Sequence, residues 1–428
     1  GSGAFAPRAL RLRAWCLYKT GRLDDALTLF ARFDRENPDS PEALANLLEW
    51  SRVLIEAGDN AKARQQLETL ISRGGSQGIA QDARLLMARV LIQERRYDRA
   101  IVVLETLAGD VAARVDRRAG AWFALAELYR DRTNYDEALT AAGRGLELAP
   151  TPELQRTGAI SRGRVLLKMN RIEEGAVQLK RVVTAEPERA QSGILQLELA
   201  RAWYDAGKGE SAAQEYQYYL ETFTNREGRA EAASGLGMAL FRAARYAEAA
   251  AAFEKTLTLI DTPAGRAQAL FKIGDARFAY GQYLAAADAY QQLIADYPGS
   301  EMIPGALCQA GESLVRAGQP EEALRHFEDV VSRFPRHTMA ERATLRLAEC
   351  REELGRFEDA LKGYQSLVDK YTNSPLFVNA LQRRGMLLYR IFRNEEALQA
   401  FTRVANEFGS NSMAEQAYFM RGWALYML

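Results

Sequence analysis

The stretch GESLVRAGQPEEALRHFEDVVSRFP, residues 311–335, decides the fold of this chain of 428 residues. It carries small residues at Gly311 and Ala323, a second glycine at Gly318, an aromatic residue at Phe327 and a proline at Pro335. Gly318 supplies the left-handed turn that ends one helix, and Pro335 ends the next because proline cannot continue a helix. Phe327 lies one turn past Ala323 on the same helical face. The stretch therefore predicts a helix, a tight turn, a second helix and a short loop.

The same arrangement recurs along the whole chain. When Ala323 is taken as an anchor, eleven units carry a small residue at the same phase: Ala26, Ala63, Ala100, Ala138, Gly175, Ala212, Ala249, Ala286, Ala323, Ala360 and Ala397. Nine of the ten steps between anchors are 37 residues and one is 38. Self-similarity at a fixed period of this length predicts an α-solenoid.

Other columns keep the same phase. Twelve residues before the anchor every residue is small: Ala14, Ser51, Ala88, Ala126, Gly163, Ala200, Gly237, Gly274, Gly311, Ala348 and Gly385. Four residues after the anchor the side chain is large in ten units: Phe30, Leu67, Leu104, Leu179, Tyr216, Phe253, Tyr290, Phe327, Tyr364 and Phe401. Ala142 is the exception. Glycine stands five residues before the anchor in six units: Gly21, Gly58, Gly207, Gly281, Gly318 and Gly355.

Each column has a physical reason. The small residues let the two helices of a hairpin approach closely, and the large side chain fills the space beside their contact. Burying that side chain stabilises the fold by roughly 1.5–3 kcal/mol. Prolines that end the second helix are often followed by a helix N-cap residue, as in Pro38-Asp39-Ser40-Pro41; Asn373-Ser374-Pro375 ends in the same N-cap pattern. The predicted fold is all-α.

Composition and residue spacing exclude several classes of function. Lys plus Arg and Asp plus Glu each number 56, so a net charge of zero gives no long-range attraction to nucleic acid. No apolar run reaches the roughly 18 residues that suggest a membrane span. Neither histidine, His326 or His337, shows the spacing of a metal ligand or a catalytic triad. We therefore predict no catalytic, cofactor or metal site, and a chain that is not an enzyme.

The columns together resemble the tetratricopeptide repeat, and the resemblance extends from Ala6 to Leu428. The period of 37 is longer than that family's usual 34. The resemblance implies a single right-handed superhelix of about 11.5 repeats over residues 4–428 that binds protein partners. The repeats are expected to start near residues 7, 44, 81, 119, 156, 193, 230, 267, 304, 341 and 378, with a half repeat from 415.

Several loops resemble a bacterial subgroup of this family. They are Tyr297-Pro298-Gly299-Ser300, Phe334-Pro335-Arg336-His337 and Phe408-Gly409-Ser410-Asn411. The subgroup includes the outer-membrane assembly lipoproteins and the Tol–Pal-associated periplasmic factor. The resemblance implies a bacterial envelope complex, with a periplasmic or outer-membrane-associated location; a cytoplasmic location is the alternative.

The two ends of the sequence carry their own expectations. Gly1-Ser2-Gly3 looks like the remnant of an expression tag. Repeat arrays need polar caps, yet the last predicted helix is rich in large apolar residues: Tyr418, Phe419, Trp423, Leu425 and Tyr426. We therefore expect a fragment of a longer protein, with self-association through the open ends as an alternative.

The resemblance also implies where a partner binds, because the first helices of these repeats line the concave surface. Positions fifteen, eleven and eight residues before the anchor share one helical face. Eleven before it, the first half of the column is largely basic, with Arg52, Arg89, Arg164 and Arg201 but also Glu127, and the later part is acidic, with Asp275, Glu312 and Glu349. Eight before it stand aromatic residues, among them Tyr204, Phe241, Phe278 and Tyr389.

We predict that this face is a groove for an extended or helical segment of a partner protein. The arginines would attract its acidic portions and the carboxylates its basic ones. The rings have an alternative role, packing between adjacent hairpins. Two other functions stay open at this point. One is the scaffold portion of a larger secretion, polysaccharide-export or pilus-secretin protein, and the other is a carbohydrate- or peptidoglycan-binding module.

Overall fold

A computed structural model describes residues 6–75, 78–224, 227–372, 374–408 and 413–428. Over these residues the chain forms twenty-three α-helices and no strand, which confirms the predicted all-α fold of tandem helical hairpins. The Gly1-Ser2-Gly3 segment lies outside the described residues. The same holds for Asn373, predicted to begin a helix cap, and for the Gly409-Ser410-Asn411 part of the last predicted loop.

The chain divides into two compact units, Gly1–Ala202 and Trp203–Leu428. The first unit begins with ten helices: α1 (Ala6–Lys19), α2 (Leu23–Glu36), α3 (Ala43–Glu56), α4 (Asn60–Gly74), α5 (Gly78–Gln93), α6 (Tyr97–Gly109), α7 (Val115–Asp131), α8 (Tyr135–Leu148), α9 (Pro152–Lys168) and α10 (Ile172–Ala185). The division falls within α11 (Ala190–Asp205). Odd-numbered helices are the first helices of the hairpins, and even-numbered helices are the second.

The second unit continues the same alternation. Its helices are α12 (Gly209–Thr222), α13 (Arg229–Arg242), α14 (Tyr246–Leu259), α15 (Pro263–Ala279), α16 (Tyr283–Asp296), α17 (Ile303–Arg316), α18 (Pro320–Arg333), α19 (Met339–Glu353), α20 (Phe357–Lys370), α21 (Phe377–Arg390), α22 (Asn394–Glu407) and α23 (Ala414–Met427). Each hairpin buries its own anchor. The interpretation of the chain as one continuous solenoid stays a prediction.

The small-residue columns lie inside the hairpins, where the sequence predicts them. Every anchor alanine is fully buried. Gly274 of α15 lies directly beneath the buried ring of Tyr290 from α16, and a Cβ added there would stand 2.5 Å from that ring. Gly311 of α17 is covered in the same way by Phe327 of α18, at 2.7 Å. The large side chain four residues past the anchor therefore occupies the space that the glycine leaves open.

The exception at Ala142 has a structural counterpart nearby. In that hairpin the buried ring comes from the first helix, because Phe123 of α7 packs onto Gly145 of α8 and Gly158 of α9. A Cβ at Gly158 would stand 2.7 Å from the Phe123 ring. In this hairpin the large side chain, Phe123, comes from the first helix and the glycine, Gly145, from the second, which is the reverse of the other hairpins, and the interior is still filled.

The turn between the two helices is left-handed in all eleven hairpins of the described residues. The six glycines of the minus-five column have positive φ. The other five hairpins place a non-glycine residue there in the same conformation: Arg95, Thr133, Asn170, Ala244 and Phe392, with φ between 59° and 66°. Residues other than Gly and Asn are strained in this region because Cβ approaches a backbone oxygen. The turn geometry is therefore imposed by the packing of the helices and not by glycine alone.

Replacing Ala244 by glycine is expected to stabilise the second unit by about 1 kcal/mol, since the strain of the left-handed turn is removed. Ala244 is exposed, so no packing is lost. The measurement is the denaturant midpoint of the full chain. The matched control is Gly318→Ala, at φ +80° with nothing within 4 Å of the added Cβ, and it should destabilise by a similar amount. A midpoint that falls with Ala244→Gly contradicts the strain argument.

Candidate functional site

The residues eleven positions before each anchor are called here the first-helix stripe, and some of them are exposed while others are paired within the chain. In the first unit Arg52 of α3 and Arg89 of α5 are exposed. Neither guanidinium makes a hydrogen bond or an ion pair with a residue that the structure describes. One turn before Arg52 on the same helix, Leu48 is buried. In these two repeats the stripe residue is therefore an exposed arginine, and the residue one turn before Arg52 is buried and apolar.

Arg164 of α9 is engaged by its own chain. Its guanidinium donates two hydrogen bonds of 2.8 Å to the carboxylate of Glu198 on α11. The hydrogen bond with Glu198 raises the pKa of Arg164, although burial of the guanidinium acts in the opposite direction. The bidentate geometry is the strongest that an arginine and a carboxylate can form. This pair joins consecutive first helices. Arg201 of α11 is exposed.

In the second unit the acidic part of the stripe is also paired internally. Glu312 of α17 and Glu349 of α19 are 9% and 8% exposed. Arg346 of α19 bridges them, with Nε 2.7 Å from Oε2 of Glu312 and Nη1 2.6 Å from Oε2 of Glu349. Arg383 of α21 contacts the second oxygen of Glu349 at 3.0 Å. These carboxylates hold neighbouring repeats together, and little of their surface is open to a partner.

The ion pairs that link Glu312, Arg346, Glu349 and Arg383, called here the ion-pair ladder, change the pKa of Arg346. Burial lowers the pKa of Arg346, but its hydrogen bonds and charge attraction with Glu349 and Glu312 outweigh that effect, so the pKa is raised.

The carboxylate of Asp275 on α15 has both of its partners within its own hairpin. It accepts a hydrogen bond of 2.8 Å from the hydroxyl of Tyr290 and contacts Nζ of Lys272 at 3.0 Å.

The sequence does indicate these ion pairs, but only when each stripe residue is compared with the residue 34 positions later on the next first helix. In three cases the partner of a stripe residue stands 34 positions later with the opposite charge: Arg164 with Glu198, Glu312 with Arg346, and Glu349 with Arg383. The position 34 residues after Arg52 is Leu86. For Arg89 the corresponding position is Ala124, one residue further on, because the step from Ala100 to Ala138 is 38 residues. Arg52 and Arg89 are left without an ion pair because the next first helix offers them an apolar residue.

The aromatic residues of the predicted groove pack mainly against their own chain. The ring of Phe241 lies edge-on to Tyr246, with centroids 5.1 Å apart. Phe278 contacts Tyr283 in the same way at 5.3 Å. In both pairs the second ring begins the second helix of the same hairpin.

The remaining two predicted rings lie in the second unit as well. The guanidinium of Arg242 stacks 3.9 Å from the ring centroid of Tyr204, so this ring contacts the adjacent hairpin. Tyr389 is half-buried and packs against the apolar cluster of α19 to α23. Internal packing is thus one role of all four rings, and Phe241 alone keeps a large exposed fraction, 36%.

A small polar cavity in the second unit was not predicted. Its volume is about 320 Å³, and seven side chains line it: Glu352, Asn379, Gln382, Arg383, Met386, Met413 and Gln416. Glu352 accepts a hydrogen bond of 2.8 Å from Tyr364, and Gln382 donates one to Gln416. These hydrogen bonds join α19 to α20 and α21 to α23.

Two of the three cysteines, Cys308 and Cys350, are buried. Burial raises the pKa of Cys308 to about 11 and that of Cys350 to about 12. Burial lowers the pKa of His326, whose Nε2 lies 3.0 Å from Nε2 of Gln291. Among the described residues no group of three His, Cys, Asp or Glu side chains could hold a metal ion. Across that part of the chain, no helix combines the length and the apolar character needed to cross a membrane.

Comparisons with known proteins bear on the repeat. A family model described as a tetratricopeptide repeat-like domain matches residues 17–151. One described as a tetratricopeptide repeat matches residues 160–227, 197–265 and 308–375. A further tetratricopeptide repeat model matches residues 268–300. Together these matches cover most of the chain. A search of curated proteins finds no matching relative.

Two solved structures are among those that match this chain. The crystal structure of the Cut9–Hcn1 hetero-tetramer of APC/C is 12% identical, with a TM-score of 0.36, and the match covers 99% of this chain and 97% of that one. The C-terminal part of a repeat-containing protein from Cytophaga hutchinsonii is 17% identical, with a TM-score of 0.48, covering 60% of this chain and 98% of that one.

Proposed function

The chain belongs to the tetratricopeptide repeat family, and we propose that it is a protein-binding scaffold whose first unit holds an acidic segment of a partner protein. The observation that carries the proposal is the pair of exposed arginines, Arg52 and Arg89, which have no ion pair with any described residue. They lie at the same position of consecutive first helices. An arginine in this state offers a planar fork of donors to a carboxylate.

The basic part of the predicted groove supports the proposal better than its acidic part. Glu312 and Glu349 are largely buried and are held by Arg346 and Arg383. A basic segment would have to displace those arginines from two largely buried carboxylates, and breaking a buried ion pair costs several kcal/mol. The proposal therefore relies on the basic part of the stripe and specifies an acidic partner.

Reversing both charges in an Arg52→Glu, Arg89→Glu variant is expected to weaken binding of an acidic segment by about 10- to 100-fold, because two attractive contacts become repulsive. The measurement uses a displayed peptide library in which acidic and basic segments have matched apolar content. Acidic segments should be enriched on the natural chain, and binding of the selected peptide should weaken with added salt.

The matched control reverses two exposed arginines on second helices, Arg99 of α6 and Arg325 of α18. That variant has the same change in net charge and should bind the selected peptide as the natural chain does. If both variants lost peptide affinity equally, the effect would come from net charge and not from Arg52 and Arg89. Equal enrichment of acidic and basic segments would remove the proposal.

The cellular setting and the carbohydrate-binding alternative remain predictions. A setting within a bacterial envelope complex, or within a larger secretion or export protein, is supported only by the resemblance of the loops. Fractionation of the cells of origin tests it. The carbohydrate-binding alternative requires ring faces open to a sugar. Because Phe241, Phe278 and Tyr204 are in contact with internal partners, no observation favours it over peptide binding.

A further inference from the structure

The second unit contains an open cavity formed by α20, α21 and α22. Its volume is about 410 Å³, and six of the residues that line it are charged: Glu358, Lys362, Asp369, Lys370, Arg384 and Arg393. The three helices lie between α19 and α23 in chain order, so a first helix is present on each side of them. We call this space the α20–α22 cavity.

Arg384 of α21 occupies a position that is apolar in most hairpins. It stands thirteen residues before the anchor Ala397, and eight other hairpins bury an apolar residue there: Trp50, Met87, Leu125, Leu199, Leu236, Ile273, Ala310 and Leu347. The two further arginines at this position, Arg13 and Arg162, are exposed, whereas the side chain of Arg384 is only 22% exposed. The helices therefore enclose a cation where most hairpins bury an apolar side chain.

The guanidinium of Arg384 has no close anionic partner. Its Nε is buried and has no hydrogen-bond partner among the described residues. Its Nη2 lies 3.7 Å from Oε2 of Glu396, which is beyond hydrogen-bonding distance. Both oxygens of Glu396 instead accept hydrogen bonds from Arg393, at 2.6 and 2.8 Å. Burial lowers the pKa of Arg384, and the charge of Glu396 acts in the opposite direction. Because an enclosed donor without a partner is unfavourable, an anion bound at Nε would stabilise this arrangement.

The other charges around the cavity favour an anion with a single negative charge. Four carboxylates balance its four basic side chains. Glu358 and Glu396 contact Arg393, Asp359 contacts Lys362, and Asp369 accepts a hydrogen bond of 2.6 Å from the amide of Gln365. A dianion such as phosphate would be repelled by these carboxylates more strongly than a single carboxylate would.

We infer that the α20–α22 cavity binds the carboxylate of a small organic acid, which accepts hydrogen bonds from Nε and Nη2 of Arg384. The guanidinium and the carboxylate are both planar, so the two groups can form two parallel hydrogen bonds. The volume of the cavity lies in the range of small-molecule sites. This site is separate from Arg52 and Arg89 and goes beyond the function proposed for the first unit.

The test uses the full chain with butyrate as the probe and saturation-transfer NMR as the measurement. Butyrate should bind saturably, and both butyramide, its neutral analogue, and inorganic phosphate should bind at least about tenfold more weakly. Arg384→Met should weaken butyrate binding by at least about tenfold. This variant is expected to fold, because Met87 is buried at the same position of α5. Arg384→Lys keeps the charge without the planar fork and should also weaken binding.

The matched control is Arg162→Met, which removes an exposed arginine from the same position of α9 and should leave the affinity for butyrate unchanged. The inference is overturned if butyrate does not bind saturably to the natural chain. It is also overturned if Arg384→Met binds butyrate as the natural chain does while circular dichroism shows the variant folded. Equal losses in Arg384→Met and Arg162→Met would assign the effect to net charge. Tighter binding of phosphate, or of a blocked tripeptide with a central glutamate, would assign the cavity to another class of ligand.

Discussion

Replacing Phe327 by alanine is expected to lower the free energy of unfolding of its hairpin by about 3–5 kcal/mol, the range for deleting a buried aromatic side chain. Phe327 is 1% exposed and covers Gly311. Its loss leaves a cavity against a glycine, which has no side chain with which to fill it. Because each repeat contacts mainly its neighbours, the effect should be local.

Hydrogen exchange of the α17 and α18 amides is the suitable measurement, since a repeat array can open in parts. The matched control is Phe392→Ala, at a ring that is 77% exposed, and it should change stability by no more than about 0.5 kcal/mol. Protection that stays unchanged in α17 and α18 after Phe327→Ala would show that the ring does not hold the hairpin together.

Replacing Gly274 by leucine is expected to destabilise its hairpin by about 3 kcal/mol or more through overpacking. The added Cβ would stand 2.5 Å from the ring of Tyr290, and this ring is fully buried. The hydroxyl of Tyr290 also donates to Asp275. Displacing the ring therefore breaks a partly buried hydrogen bond as well.

The control for this substitution is Gly422→Leu, in which the same change meets open space. A thermal melt of each variant compares them, and only Gly274→Leu should lower the transition. If both variants melted alike, the loss at Gly274 would come from helix propensity and not from contact between the helices.

Much of the fold follows from residue periodicity. The anchor alanines, the glycines under the rings and the left-handed turns all occur where the 37-residue phase predicts them. Periodicity predicts these features because the residue type in each column is set by contacts within one hairpin or with the next. It did not predict the left-handed backbone of Thr133 and Ala244, because neither residue is a glycine.

The candidate site was harder to predict, because a helical face says which residues are neighbours and not which atoms they contact. The stripe of arginines and carboxylates was found from the sequence, but the bridging role of Arg346 was not. Whether a charge is available to a partner depends on the side chain that the next helix brings within reach. For Arg164 that is a carboxylate, and for Arg52 the corresponding position is a leucine.

The sequence by itself determined the class of the fold, the number of hairpins and the interior of each one, since these depend on local spacing of small, large and turn-forming residues. The tertiary structure alone decided which charges are exposed and unpaired, and which aromatic rings are already in contact. The physical reason is that burial and ion pairing arise between neighbouring helices, where a shift of one turn replaces one contact by another.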